Sequence, residues 1–259
     1  MDNNTYQKVS HGYVVLGPYR SGTSLTSAIM ARLGVNFGPT NEMFSGTKFN
    51  PYGYFEREDI NEKNGLLISS AGQSLADPGT PIEIFNNCDK TLANQLKFDW
   101  MYQNTSWGIK DPRMCATLWT WIQLGLINQE KLSIIHVKRS LDSATASGFK
   151  DPLIPRYCDN TEPGVKKMLA KYIDLAEWHV DNLNVPTFTL QYEELINSPE
   201  TIITDLANFI GVRSSRKIKA ATRLVGKNQA IRYYYLHRLF IRAPAKLWRI
   251  VSGKEKLTK

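Results

Sequence analysis

Cysteine is scarce in this chain: Cys88, Cys115 and Cys158 are the only three in 259 residues, widely separated and odd in number. No CxxC or similar ligand spacing joins them, which argues against a structural zinc or a disulfide framework and for a reducing, intracellular setting. Histidine is equally thin. His11 precedes an apolar run, His136 lies inside the run SIIHV, and His179 and His237 sit in helical patterns. They support no catalytic triad or metal cluster, and His136 reads as a satisfied core residue. No run approaches the roughly 18 apolar residues that span a bilayer. The opening MDNNTYQKVS holds no apolar stretch that would serve as a signal sequence. A cytoplasmic location is the expectation.

A further absence is a single lysine. GPYRSGTS, residues 17–24, has the outline of a phosphate-gripping loop: glycine, four residues, glycine, then two hydroxyls. An ATP-binding P-loop carries lysine after its second glycine, and a strand-end acid holds magnesium. Here Thr23 stands in the lysine's place, and the strand KLSIIHVKR ends in Lys138 and Arg139. Both substitutions argue against Mg-ATP chemistry. Asp111, just after another strand, keeps a P-loop kinase open as a rival.

What is present begins with an uneven charge. The whole chain carries +8, and residues 213–259 hold fourteen Lys or Arg against Glu255, a local +13 that leaves −5 for residues 1–212. Such a tail suits a membrane surface or a nucleic acid. Aromatic residues interleave with arginines in IRYYYLHRLFIRAPAKLWRIVSG, which reads either as an amphipathic segment on an anionic membrane or as a helix pair packed on the domain. With no nucleic-acid motif in view, a nucleic-acid-binding protein ranks behind.

The length fits one large α/β domain. GYVVL (12–16) reads as a buried strand, followed by the glycine loop and a helix over 24–33 with Leu25, Ile29 and Leu33 on one face. The Gly-, Pro- and Asn-rich stretch 36–54 reads as an irregular loop, and a helix follows over 59–70. SWGIK (106–110), KLSIIHVKR (131–139) and VPTFTLQY (185–192) read as further strands, with helices over 116–124, 141–147 and 163–183. A last helix is expected from Ser198 and Pro199 towards Gly211. Strands alternating with helices predict a parallel sheet of about five strands covered on both faces. The expected layout is an α/β domain over 1–212 with a basic helical extension over 213–259.

Several of these segments together resemble the PAPS-dependent sulfotransferases, in particular the bacterial carbohydrate-type enzymes and, more distantly, the protein-tyrosine enzymes. RSGTS (20–24) resembles the loop for the 5′-phosphosulfate, IKDPR (109–113) the lysine-bearing strand end, and VKRSLDSATAS (137–147) the 3′-phosphate element. GYFERE (53–58) resembles a glutamate-bearing segment, and LQYEEL (190–195) a late strand-end tyrosine. The resemblance covers residues 12–212. It implies a P-loop NTPase-like three-layer fold, PAPS as sulfuryl donor, no metal, and an acceptor hydroxyl on a carbohydrate or a lipid-linked saccharide. Peripheral contact with the inner membrane face through the basic C-terminus goes with that acceptor.

The resemblance also assigns roles. Arg20, Ser21, Gly22, Thr23 and Ser24 would hold the 5′-phosphosulfate, Arg139 and Ser147 the 3′-phosphate, and Tyr192 the nucleotide. Arg139 would offer a charged fork and Ser147 a hydroxyl. Arg20 and Lys110 would meet charge developing on the leaving oxygen. The base is Glu56 or Glu42. The family's cytosolic members use a histidine after the second strand, where this chain reads KDPRM, which favours a glutamate. Asp111 and Arg113 would pair or orient the loop. RKIKAATRLVGKNQ (216–229) is only a loose counterpart of the element that closes over the 3′-phosphate, so Arg213, Arg216, Lys217, Arg223 and Lys227 stay unassigned.

Overall fold

Residues 10–47, 50, 53–95, 99–102 and 104–226 are described by a computed structural model. Their architecture follows from one hydrophobic strand. β1 (His11–Leu16) is buried along nearly its whole length. Side chains alternate across a strand, so Val14 and Leu16 enter one core while Tyr13 and Val15 enter another. A strand apolar on both faces must lie between two layers.

Helix α1 (Thr23–Leu33) supplies Ile29, Met30 and Leu33 to the Tyr13/Val15 core, each worth about 1.5–3 kcal/mol on burial. The helix stops at Gly34, where a left-handed backbone returns its N–H to the carbonyls of Ala31 and Met30. α2 (Glu58–Ser70) packs on the opposite face through Ile60, Leu67 and Ile68. α3 (Pro81–Asn87) opens with a capping box between Thr80 and Glu83, and a short helix, α4 (Asp99–Tyr102), leads into β2 (Ser106–Lys110).

α5 (Met114–Gln123) buries Leu118 and Trp121 beneath β1 and β2. β3 (Leu132–Lys138) alternates as β1 does, and α6 (Leu141–Phe149) starts from Ser140, whose hydroxyl accepts from the Ser143 N–H. The long α7 (Glu162–Asn182) adds Val165, Leu169 and Tyr172 to the α5 side. β4 (Thr187–Gln191) then runs into α8 (Tyr192–Asn197), and α9 (Pro199–Phe209) covers the α1 side with Ile203 and Leu206.

The four strands pair in parallel, in the order β2-β1-β3-β4. Val14 stands between Ile109 and Ile134 in this register. The expected sheet of about five strands is therefore corrected to four among the described residues. Only four segments carry a strand pattern, and each is in the sheet; the fifth rested on the usual size of such sheets rather than on residues. The helix expected from Ser198 and Pro199 is α9; α8 before it was not expected and is separated from α9 at Ser198, which leaves helical geometry.

Sheet order also selects a site. The chain leaves β1 towards β2 on one side and leaves β3 towards β4 on the other. The carboxyl ends of β1 and β3 thus flank a topological switch point, where open α/β sheets form their ligand crevice.

The start of the basic stretch packs on the body. α10 (Ser215–Thr222) lies on α1, and the Lys217 ammonium donates to the Leu33 carbonyl at 3.0 Å. A cation at a helix C-terminus is favourable, and this contact ties Lys217 to the end of α1. The aromatic and arginine-rich segment from residue 231 onwards, with Lys227 and His237, lies outside the described residues. Among those described, no helix is long and apolar enough to cross a membrane.

Candidate functional site

The loop after β1 sits at the switch point. Gly22, φ 99°, caps α1 with no side-chain capping bond and no acid in the first turn. The opening N–H groups of a helix have no acceptor within it, and the helix dipole adds partial positive charge. An uncapped, acid-free N-terminus leaves both for an anion. Gly22 is required twice over: its backbone is left-handed, and an added Cβ would lie 2.3 Å from the Tyr192 ring.

Arg20 holds a left-handed backbone without being glycine, φ 64°, at a cost of about 1–2 kcal/mol. Its surroundings over-determine it. Arg139 Nη1 donates to the Arg20 carbonyl at 2.6 Å, and Arg20 Nε donates to Ser147 Oγ at 3.1 Å. Asp151 Oδ2 faces Arg20 Nη1 at 3.7 Å. The Arg139 guanidinium also lies 4.4 Å from the centroid of the Tyr192 ring, and its Nε is buried with no acceptor among the described residues. Strain of this kind gathers where a backbone is held for a task.

Lys110, the last residue of β2, reaches across. Its Nζ donates to Ser24 Oγ at 3.2 Å and forms a buried ion pair with Glu56 Oε1. Ser24 also accepts from Asn50 Nδ2 at 2.9 Å and donates to the Tyr54 carbonyl at 3.3 Å, while Asn61 Nδ2 approaches Glu56 Oε2 at 3.4 Å. Burial pushes the Glu56 carboxyl above its ordinary 4.5, with Lys110 pulling the other way. A buried carboxylate beside a buried ammonium has the makings of a proton acceptor.

Behind this floor, Asp111 is fully buried; its Oδ1 accepts from the Arg113 N–H at 2.8 Å and faces Arg113 Nη1 at 3.5 Å. Asp111 therefore orients the strand-end turn and does not line the cleft. Arg113 does line it, and neighbouring Tyr19, Asp111, Tyr172 and Glu56 raise its pKa above the ordinary arginine value against the effect of burial. Burial drives the Cys115 thiol up to about 12, so it is no nucleophile at neutral pH.

These groups surround a cleft of about 810 Å³. Arg20, Gly22, Thr23, Ser24, Glu56, Lys110, Arg139 and Tyr192 all line it, and Ser147 joins through Arg20. Ser21 is in the loop but turns inward, donating to the Pro18 carbonyl at 2.7 Å. Glu42 is not brought in; it pairs with Arg57 at 2.7 Å. Sequence reasoning passed over Asn50, Tyr54, Asn61 and Asp151. The Asn-Pro and Asp-Pro steps at residues 50 and 151 announced turns, but only the fold shows that the turns meet Ser24 and Arg20.

Comparison with protein-family models, curated proteins and solved structures gives no match for this chain.

Proposed function

We propose that the cleft transfers a sulfuryl group from PAPS to a hydroxyl of a carbohydrate or glycolipid, on a P-loop-like three-layer scaffold in the cytoplasm. The observation that carries the reading is the joining of two cationic anchors at one switch point. Arg139 bonds the backbone of Arg20, and Arg20 bonds Ser147, so the glycine loop and the β3 element meet in one cleft with Tyr192 between them.

The residues fit the donor's anionic groups. The α1 N-terminus with Thr23, Ser24 and Arg20 suits the 5′-phosphosulfate, and Arg139, whose Nε has no acceptor among the described residues, suits the 3′-phosphate beside Ser147. When bound, the donor supplies an activated sulfuryl group on a good leaving oxygen. Transfer in line breaks the bond from sulfur to that bridging oxygen and forms one to the acceptor oxygen. Glu56 takes the hydroxyl proton. As Glu56 is neutralised, Lys110 loses its counter-charge and turns its ammonium, already at Ser24, to the charge developing on the leaving oxygen. Stabilisation of this kind is worth about 10²–10³ in rate per donor. Asp111 is fully buried, bonds Arg113 through Oδ1 and does not line the cleft, which disfavours a magnesium-dependent kinase.

The test is incubation with sulfur-labelled PAPS and a panel of sugar, glycolipid and phenolic acceptors. Label should move to an acceptor, and Arg20→Ala should slow it about 10²–10³-fold. In parallel, PAP at about 100 times its dissociation constant should add about 2.7 kcal/mol of stability. Stabilisation by Mg-ATP and not by PAP would overturn the proposal.

A further inference from the structure

The cleft is polar at its floor and apolar at its mouth. Lys110 and Glu56 are only 4% and 7% exposed, whereas Phe44 and Leu153 are 38% and 53% exposed. Seven large apolar side chains stand exposed among the described residues, and four of them, Phe44, Leu153, Tyr157 and Ile196, line this one cleft. Burial normally runs the other way, with charge outside and hydrocarbon inside. A cluster of exposed apolar groups rimming a polar pocket marks a binding surface.

We infer, building on the sulfuryl-transfer reading, that the acceptor is an amphipathic alcohol: a polar head carrying the reactive hydroxyl, joined to a hydrocarbon tail. Only such a molecule satisfies both levels. A free sugar would serve the floor and leave the rim in water; a hydrocarbon would cover the rim and offer the floor's Glu56, Lys110 and Ser24 no polar group. The head descends until its hydroxyl meets Glu56, and the tail leaves along Phe44 and Leu153. Space agrees: about 810 Å³ is near the upper end of the roughly 300–1,000 Å³ of small-molecule sites, leaving room for an acceptor beside the nucleotide. The four rim residues come from three separate stretches of chain, around 44, 153–157 and 196, so the apolar ring is assembled by the fold.

The experiment is a calorimetric titration of the full chain with methyl, hexyl, octyl and decyl glucosides, each below its micelle concentration, with PAP stabilisation measured separately. Affinity should rise about fourfold for each methylene that becomes buried. Leu153→Asp and Phe44→Ser change exposed side chains and should flatten that rise while PAP stabilises the variants as it does the wild type. Equal affinity for the methyl and octyl compounds overturns the inference, as does an unchanged rise in both variants; a rim that serves a protein partner gives the first result. Chain-length dependence without PAP binding keeps the amphipathic ligand and removes the sulfuryl donor. PAP binding without chain-length dependence does the reverse.

Discussion

Replacing Lys110 with methionine tests the chemistry of the floor and carries its own pH signature. The Lys110 and Glu56 side chains are 3% and 10% exposed, far from the surface regime in which an ion pair is worth about 0–1 kcal/mol. Removing one partner of a buried pair leaves the other charge uncompensated, at about 3–5 kcal/mol. In a domain of this size each kcal/mol moves Tm by about 2–4 °C, so Lys110→Met should melt about 6–20 °C lower at pH about 8. Acid should shrink the deficit, because Glu56 can escape by taking up a proton. Its carboxyl already sits above the ordinary 4.5 in the folded protein, and losing Lys110 raises it further. Stability from the protonated form is complete below about 4.5 and is lost as pH climbs through the raised folded value. The variant's loss should therefore extend to higher pH than the wild type's. Urea titrations of both proteins at pH about 5 and about 8 give the four free energies required. A deficit under about 1 kcal/mol at the higher pH, or one that is equal at both, refutes the buried-pair argument.

Other outcomes follow from the same geometry. Because residue 20 is left-handed, Arg20→Gly should be more stable than Arg20→Ala by about 1 kcal/mol, the reverse of the helical order, while both lose transfer activity; chemical denaturation and a label-transfer assay read the two effects. Gly22→Ala meets both a left-handed backbone and the Tyr192 ring, so it should cost about 1–3 kcal/mol and weaken PAP binding, seen as a lower Tm and a smaller shift on adding PAP. Glu56→Gln should abolish transfer and remove the downward slope of stability above about pH 4.5 that the raised Glu56 carboxyl gives the wild type; the slope's persistence in the variant assigns it to another group.

Much of the sheet was legible because it is local. GYVVL, SWGIK and SIIHVK are apolar runs with alternating partners, and each forms the strand that its pattern demands. α1 announced itself by its four-residue spacing and Gly34. By contrast, α3 was missed although Thr80-Pro81-Ile82-Glu83 spells a capping box, since its seven residues are too few for a periodic signal. α10 falls inside the helical extension expected over 213–259, but its bounds were not legible, because Arg216, Lys217 and Lys219 interrupt any apolar period and Ala221 alone among its residues is fully buried. At the site, Arg20, Ser24 and Lys110 were legible from position: a glycine turn and a strand end have few places to go. Glu42 and Glu56 were not separable that way. Both lie in the long loop region before α2, and the choice between Arg57 and Lys110 as partner is made by tertiary folding alone. Asp151 and Asn50 carry no motif, and the contacts that tie them to Arg20 and Ser24 cross more than twenty positions of sequence.

The pairing of the glycine loop with the β3 arginine is tested most directly by equilibrium binding of PAP and of adenosine 5′-phosphate, which differ only in the 3′-phosphate. A charge-assisted contact of the Arg139 kind is worth about 1.5–3 kcal/mol, so PAP should bind about 10–100-fold tighter to the wild type, and Arg139→Gln should erase the difference. Equal binding of the two nucleotides by the wild type, or a preference that survives in Arg139→Gln, contradicts the account.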